Sequence, residues 1–209
     1  MRQLPLAKLT RQHFYEYNSA AQEEAQSADE ILYLLPRMLE LMVEGEEVHH
    51  SIELSLVRLG HCPAGSFSRD EVKVLNRFAL AYFQHSLGGQ QGLLDDPLSI
   101  MLMFHTGGLA TEPLMDLWST ADDAMSTIQF VRVMYWDFWE KQDYSNPFAE
   151  QEPAFRQQLR QWISNPATRQ RFIEKLMDPE FQRLAPLQRP TGVIPFSTMV
   201  DAAFDQLTQ

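Results

Sequence analysis

A chain of 209 residues, 44% of them apolar, is large enough to bury its own core, which excludes wholesale disorder and any need for a disulfide or metal staple. The single cysteine, Cys62, excludes an intramolecular disulfide, so nothing points to an oxidising compartment. A net charge of −11 disfavours general binding to nucleic acid, because an acidic body repels the phosphate backbone.

The first residues, MRQLPLAKLTRQHF, are broken by Pro5, Lys8 and Arg11 and lack the unbroken apolar run of a secretory leader. No apolar run approaches the ~20 residues that cross a bilayer. The expectation is a soluble, cytoplasmic protein with no membrane partner.

Read in chain order, the punctuation is that of helices. A first helix is expected over 10–25. Ser27-Ala-Asp-Glu30 has the spacing of a capping box and starts a second helix over 28–44, apolar almost all round from Ile31 to Val43 and therefore central. Pro36 inside it should kink or restart it. Gly45 then interrupts the pattern, and a third helix is expected over 46–59. Ser68-Arg-Asp-Glu71 repeats the capping signal before a helix over 69–87. Asp96-Pro97, Asn146-Pro147, Asn165-Pro166 and Asp178-Pro179 each place a capping side chain before a first-turn proline. They mark helices over 97–106, 152–164, 166–177 and, shorter, 179–185. Helices over 112–119 and 121–142 and a short one over 197–207 complete the set. Gly60, Gly88-Gly89 and Gly107-Gly108 fall where periodic stretches stop. No strand-like alternation or hairpin turn occurs, and no repeat holds register. The fold class is all-α: an irregular bundle, or a stack of antiparallel helical hairpins, with about nine main helices.

Charge divides this chain unevenly. Residues 21–53 hold nine acids against Arg37 alone, whereas 154–192 hold seven bases against three acids. An acidic core domain over 1–145 is therefore expected, with a basic-to-mixed helical portion over 146–209 packed on it as one domain. Residues 143–153, with two prolines, are the candidate linker. The basic 156–189 segment, with Arg156, Arg160, Arg169 and Arg171, is the only opening for nucleic acid.

The stretch EGEEVHHSIE at 44–53 raises the question of a metal. On a helix, Glu47 and His50 would form the Glu-x-x-His unit of di-iron bundles, and Glu46 would lie one turn before His50. Such a site needs a second unit elsewhere, and the remaining histidines do not supply it. The simpler reading makes Glu46 and Glu47 first-turn carboxylates of the 46–59 helix, facing its dipole. His61-Cys62-Pro63 is a turn rather than a Cys–His dyad, and His105-Thr-Gly-Gly108 lacks the strand and Lys-Ser/Thr of a phosphate loop. No serine-hydrolase or dinucleotide motif is present, and no cofactor is expected.

Met134-Tyr135-Trp136-Asp137-Phe138-Trp139 is the most unusual composition in the chain. Large aromatics on one helix face are mostly core, but Trp and Tyr also serve as interface anchors. Tyr135, Trp136 and Trp139, with Asp137 and Glu140 beside them, are the candidate interaction anchors, and an acidic surround selects a basic protein partner. The sequence thus supports a non-enzymatic protein-interaction domain: an adaptor, an inhibitor or immunity-type protein, or a dedicated chaperone. The alternative is a small metal-dependent helical enzyme or ligand binder using Glu46, Glu47, His49 and His50.

Overall fold

Ser27, Asp96, Asp123, Asn165 and Asp178 each accept a hydrogen bond from a backbone N–H two or three residues on, and a helix begins after every one. Ser68 and Glu71 close a reciprocal box, with the Glu71 carboxylate 2.7 Å from the Ser68 backbone nitrogen. The computed structural model describes residues 4–21, 26–88, 96–138 and 143–209. Among these it contains α1 (Arg11–Ser19), α2 (Ala28–Val43), α3 (Val57–Gly60), α4 (Arg69–Leu87), α5 (Pro97–Thr106) and α6 (Glu112–Thr120). There follow α7 (Ala124–Val133), α8 (Pro153–Ser164), α9 (Pro166–Leu176), α10 (Pro179–Leu184) and α11 (Phe196–Thr208). No strand occurs among the described residues, only an isolated bridge between Thr191 and Ile194. The protein is all-α.

The chain falls into two compact units, Met1–Ser86 with Gln90–Leu114 and Leu87–Gly89 with Met115–Gln209, the last boundary lying within α6. The change of charge at 145/146 falls inside the second unit. Charge records what faces water, whereas units are set by shared apolar burial.

In the first unit the most buried helix is α5, which hides Leu98 and every residue from Ile100 to Phe104. The sequence favoured α2 for that place. Instead α2 buries one face, including Leu34, Leu35, Met38 and Leu41, and leaves Tyr33 and Val43 more than half exposed. It continues through Pro36 as one helix. α5 packs against α3 and the 3₁₀ turn Ile52–Leu54, and Phe104 meets Tyr82 of α4 edge-on at 5.9 Å. Arg58 of α3 is buried and donates to the Tyr17 and Ala20 carbonyls at 2.6 and 2.9 Å, satisfying groups that the end of α1 leaves open.

The second unit closes around four rings from four helices. Phe130 of α7 stacks on Phe172 of α9 at 3.5 Å between centroids, and Trp118 of α6 stacks on Trp162 of α8 at 5.6 Å. Both indole nitrogens donate, Trp118 to the Ser126 carbonyl (2.9 Å) and Trp162 to the Ser119 hydroxyl (2.8 Å). Residues 143–153 are packed here rather than free as a linker. Tyr144 and Ala149 are buried, and Asp143 takes ion pairs from Arg156 and from Arg160 at 2.9 Å. Asn146 caps a turn, with its side chain 2.8 Å from the Phe148 nitrogen, before a 3₁₀ turn rather than an α-helix.

Candidate functional site

The residues of the 44–53 stretch do not form the expected helix. α2 ends in a closed glycine turn: Gly45 sits at φ +79°, its N–H bonds the Met42 carbonyl (3.1 Å), and the Glu46 N–H bonds the Leu41 carbonyl (2.9 Å). The chain leaves that turn without helical pairing, because the Asn18 side chain donates to the Val48 carbonyl at 2.9 Å and Val48 is buried. Helical structure resumes only at Ile52. Glu46 and Glu47 are therefore loop residues, and the one-turn spacings to His50 do not apply.

What the loop does instead is wall a polar cavity of about 330 Å³. Glu46, Glu47, His49, His50, Ser51 and Glu53 all line it, joined by Tyr82 of α4 and by Asp96 and Ser99 at the start of α5. Glu53 is buried, 7% exposed. It accepts from the Ser51 hydroxyl and from the Ser99 hydroxyl, the latter at 2.8 Å. The same Ser99 oxygen is 3.3 Å from Asp96, whose carboxylate also receives the Ser99 N–H at 3.1 Å as the cap of α5. Two carboxylates thus converge on one hydroxyl, which has a single hydrogen to give. Burial raises the pKa of Asp96, bonds from the Ser99 and Leu98 backbone oppose that, and the charge of Glu53 adds to it.

The two histidines behave differently from each other. Burial lowers the pKa of His49 to about 4, the charges of His50 and Arg58 push the same way, and a hydrogen bond to the Asn18 backbone opposes them. His49 is thus neutral at pH 7, with its Nδ1 3.4 Å from the Ser51 N–H. His50 is exposed, its ring 4.1 Å from that of His49. Glu46 leans to Arg11 at 3.4 Å, and Glu47 faces solvent. Among the described residues, no three His, Cys, Asp or Glu side chains are grouped so as to hold a metal ion. The sequence quoted four residues for such a site; they share the cavity with Asp96 but do not converge on one point.

A pH dependence follows. In the unfolded chain His49 takes up a proton near pH 6.5, and in the folded protein only near 4. Its contribution to stability is complete above pH 6.5 and is lost as pH falls towards 4. Asp96, with its raised pKa, acts in the opposite sense, favouring the folded state at low pH and losing that contribution as pH rises. Subtracting the stability profile of His49→Gln from that of the unsubstituted protein isolates the histidine. The difference is expected to rise from pH 4 to 6.5 and stay flat above, as thermal melts will read.

Of the candidate anchors, Trp136 is 53% exposed, while Tyr135 and Asp137 are half-buried and Phe138 is buried. They occupy a π-helical turn, Met134–Phe138, directly after α7. One wide turn rotates later side chains relative to the α-helical register. The ring of Trp136 stands edge-on to Tyr135 at 5.0 Å. Trp139 and Glu140 lie outside the described residues. Of the four arginines that left an opening for nucleic acid, Arg156 and Arg160 are paired with Asp143, and Arg169 donates to the Ile163 carbonyl at 3.1 Å. Burial raises the pKa of the Cys62 thiol, which points at the Arg58 carbonyl (3.6 Å).

Glu53, Asp96 and Ser99 are site residues absent from the set that the sequence pointed to. Asp96 was legible as a helix cap, and its second role depends on Glu53, which the fold brings beside it from another segment.

Fold and site together define an all-α protein with an acid-walled polar cavity in its first unit. No protein-family model matches the chain, and no curated protein or solved structure matches it either. No described helix is long and apolar enough to cross a membrane.

Proposed function

We propose that the first unit is a binding module for a small organic cation, an amine or a guanidinium, taken up in the cavity between the 45–53 loop and the start of α5. The observation that carries this reading is the convergence of Glu53 and Asp96 on the single Ser99 hydroxyl at the cavity wall. Carboxylates drawn out of water favour a positive neighbour, and a cation entering there offsets their desolvation. A metal ion needs its ligands at roughly 2.0–2.6 Å from one point, and no three His, Cys, Asp or Glu side chains among the described residues are grouped in that way. An ammonium presents three N–H donors and a guanidinium five, spread over several ångströms, and these match acceptors that are spread likewise. The neutral His49 adds no competing charge.

Calorimetric titration with putrescine, methylguanidine and magnesium chloride tests the reading. The organic cations are expected to bind and to raise the melting temperature, magnesium to do neither, and Asp96→Asn or Glu53→Gln to weaken binding at least about tenfold, as loss of a charged hydrogen-bond partner does. Because a bound cation favours the ionised form of Asp96, whose pKa burial raises, binding should be coupled to proton release. If no organic cation shifts either signal, the reading fails.

A second reading, docking of a basic protein partner, is favoured by the exposure of Trp136 on the π-turn and by the acidic balance of the chain. Trp136→Ala should leave stability within about 0.5 kcal/mol, as exposed substitutions do, while abolishing capture of a basic protein that the unsubstituted chain retains. Equal capture by both proteins would exclude Trp136 as the anchor.

A further inference from the structure

A second cavity, of about 460 Å³, lies wholly in the second unit between the end of α6, the start of α7 and the last turns of α9. Its polar lining includes Asp122, Thr120, Arg171, Glu174 and Lys175. Lys175 is the unusual member. Its stem is half-buried and its Nζ lies 4.9 Å from the centroid of the Phe172 ring. The same Nζ donates to the Trp118 backbone carbonyl at 2.7 Å, a neutral acceptor rather than a carboxylate. Among the described residues it has no ion pair, while Arg171, exposed and also without one, stands on the same cavity wall.

We propose that Lys175 is an imine-forming amine, and that the cavity takes a small aldehyde or ketone carrying an acid group, which Arg171 holds. The reaction is the condensation of an amine with a carbonyl. The Nζ lone pair forms a bond to the carbonyl carbon, the carbonyl oxygen takes up the two hydrogens lost by nitrogen, and it departs as water. Nothing is oxidised or reduced.

Three features serve this chemistry. The bond to the Trp118 carbonyl fixes the nitrogen and leaves its lone pair pointing elsewhere. The cavity gives a carbonyl compound room to reach it. Burial holds the amine's pKa down at about 8, against the pull of Asp123 and Asp122 and with the help of Arg171. At pH 7 the neutral, nucleophilic fraction is then on the order of 100-fold above that of an ordinary lysine. The chain has three other lysines, Lys8, Lys73 and Lys141, which serve as internal standards.

The test is reductive trapping of the whole protein with glyoxylate and cyanoborohydride at pH 7, followed by peptide mapping. Lys175 is expected to be modified at least about tenfold faster than any other lysine, with a rate that rises through a midpoint near pH 8. Propionaldehyde, which carries no charge, should modify Lys175 more slowly than glyoxylate does, and Arg171→Gln should erase that difference in the ratio of the two rates, while the loss of its charge lets the Lys175 pKa rise and slows both reagents. Modification of Lys175 no faster than Lys8 and Lys73 overturns the proposal. Survival of the preference for glyoxylate in Arg171→Gln overturns the assignment of the acid group to Arg171.

Discussion

Replacing Gly60 by alanine is expected to destabilise the first unit by about 3 kcal/mol, at the upper end of what overpacking costs. Helix propensity alone points the other way, because glycine to alanine within a helix gains about 1 kcal/mol. Contact geometry decides the sign. A Cβ at residue 60 would lie 1.9 Å from the Thr106 carbonyl oxygen and 3.0 Å from its carbon. Neither atom can retreat easily, since they belong to the last turn of α5, which is buried on nearly every side. The same threonine donates its hydroxyl to the Glu53 carbonyl at 2.7 Å. Displacing it therefore also moves a buried carboxylate of the cavity, and Gly60→Ala should weaken cation binding as well as stability. Gly65→Ala is the control. Gly65 sits at φ +80° with open space around it, so that substitution costs only the backbone term, roughly 1–2 kcal/mol. Urea titrations that give the two variants equal stability would show that the approach of α3 to α5 is not rigid.

Gly60 also marks where the sequence was and was not legible. A glycine after an apolar periodic run was read as a helix end, and α3 does end there. Its reason, the touch of another helix, depends on a contact between positions 60 and 106 that no local pattern encodes. Caps were legible because their physics is local: Asp96, Asn165 and Asp178 bond N–H groups two or three residues away. The 46–51 stretch is a loop where local pattern predicts helix, because its determinants are remote. Asn18 holds the Val48 carbonyl from thirty positions away, and that bond outweighs the modest helix preference of the glutamates. The same holds for the cavity. Local reasoning could gather Glu46, Glu47, His49 and His50, but Asp96 and Ser99 meet Glu53 only through the packing of α5 on the 52–54 turn. The aromatic run at 134–139 drew attention by density. The cluster that holds the second unit together is dispersed, one ring per helix over Trp118, Phe130, Trp162 and Phe172.

Trp118→Ala is expected to cost the second unit about 5 kcal/mol, the top of the range for removing a large buried aromatic. The side chain is fully buried and touches three other rings, with centroids 5.6–6.4 Å away, so the space it leaves cannot collapse without disturbing all three. Its indole N–H also donates to the Ser126 carbonyl in the first turn of α7, and losing that buried hydrogen bond adds about 1 kcal/mol. Trp118→Phe separates the two effects, since it keeps most of the ring contact and loses the hydrogen bond, at an expected cost of about 1–3 kcal/mol. Hydrogen exchange should place the lost protection in the second unit and leave α5, which belongs to the first, unchanged. A loss spread evenly over both would mean that they unfold as one. The backbone carbonyl of residue 118, which receives Lys175, is retained in Trp118→Phe. Trapping at Lys175 should therefore persist in Trp118→Phe and fall in Trp118→Ala only in proportion to the fraction unfolded, because alanine keeps the same carbonyl and residue 118 does not line the second cavity.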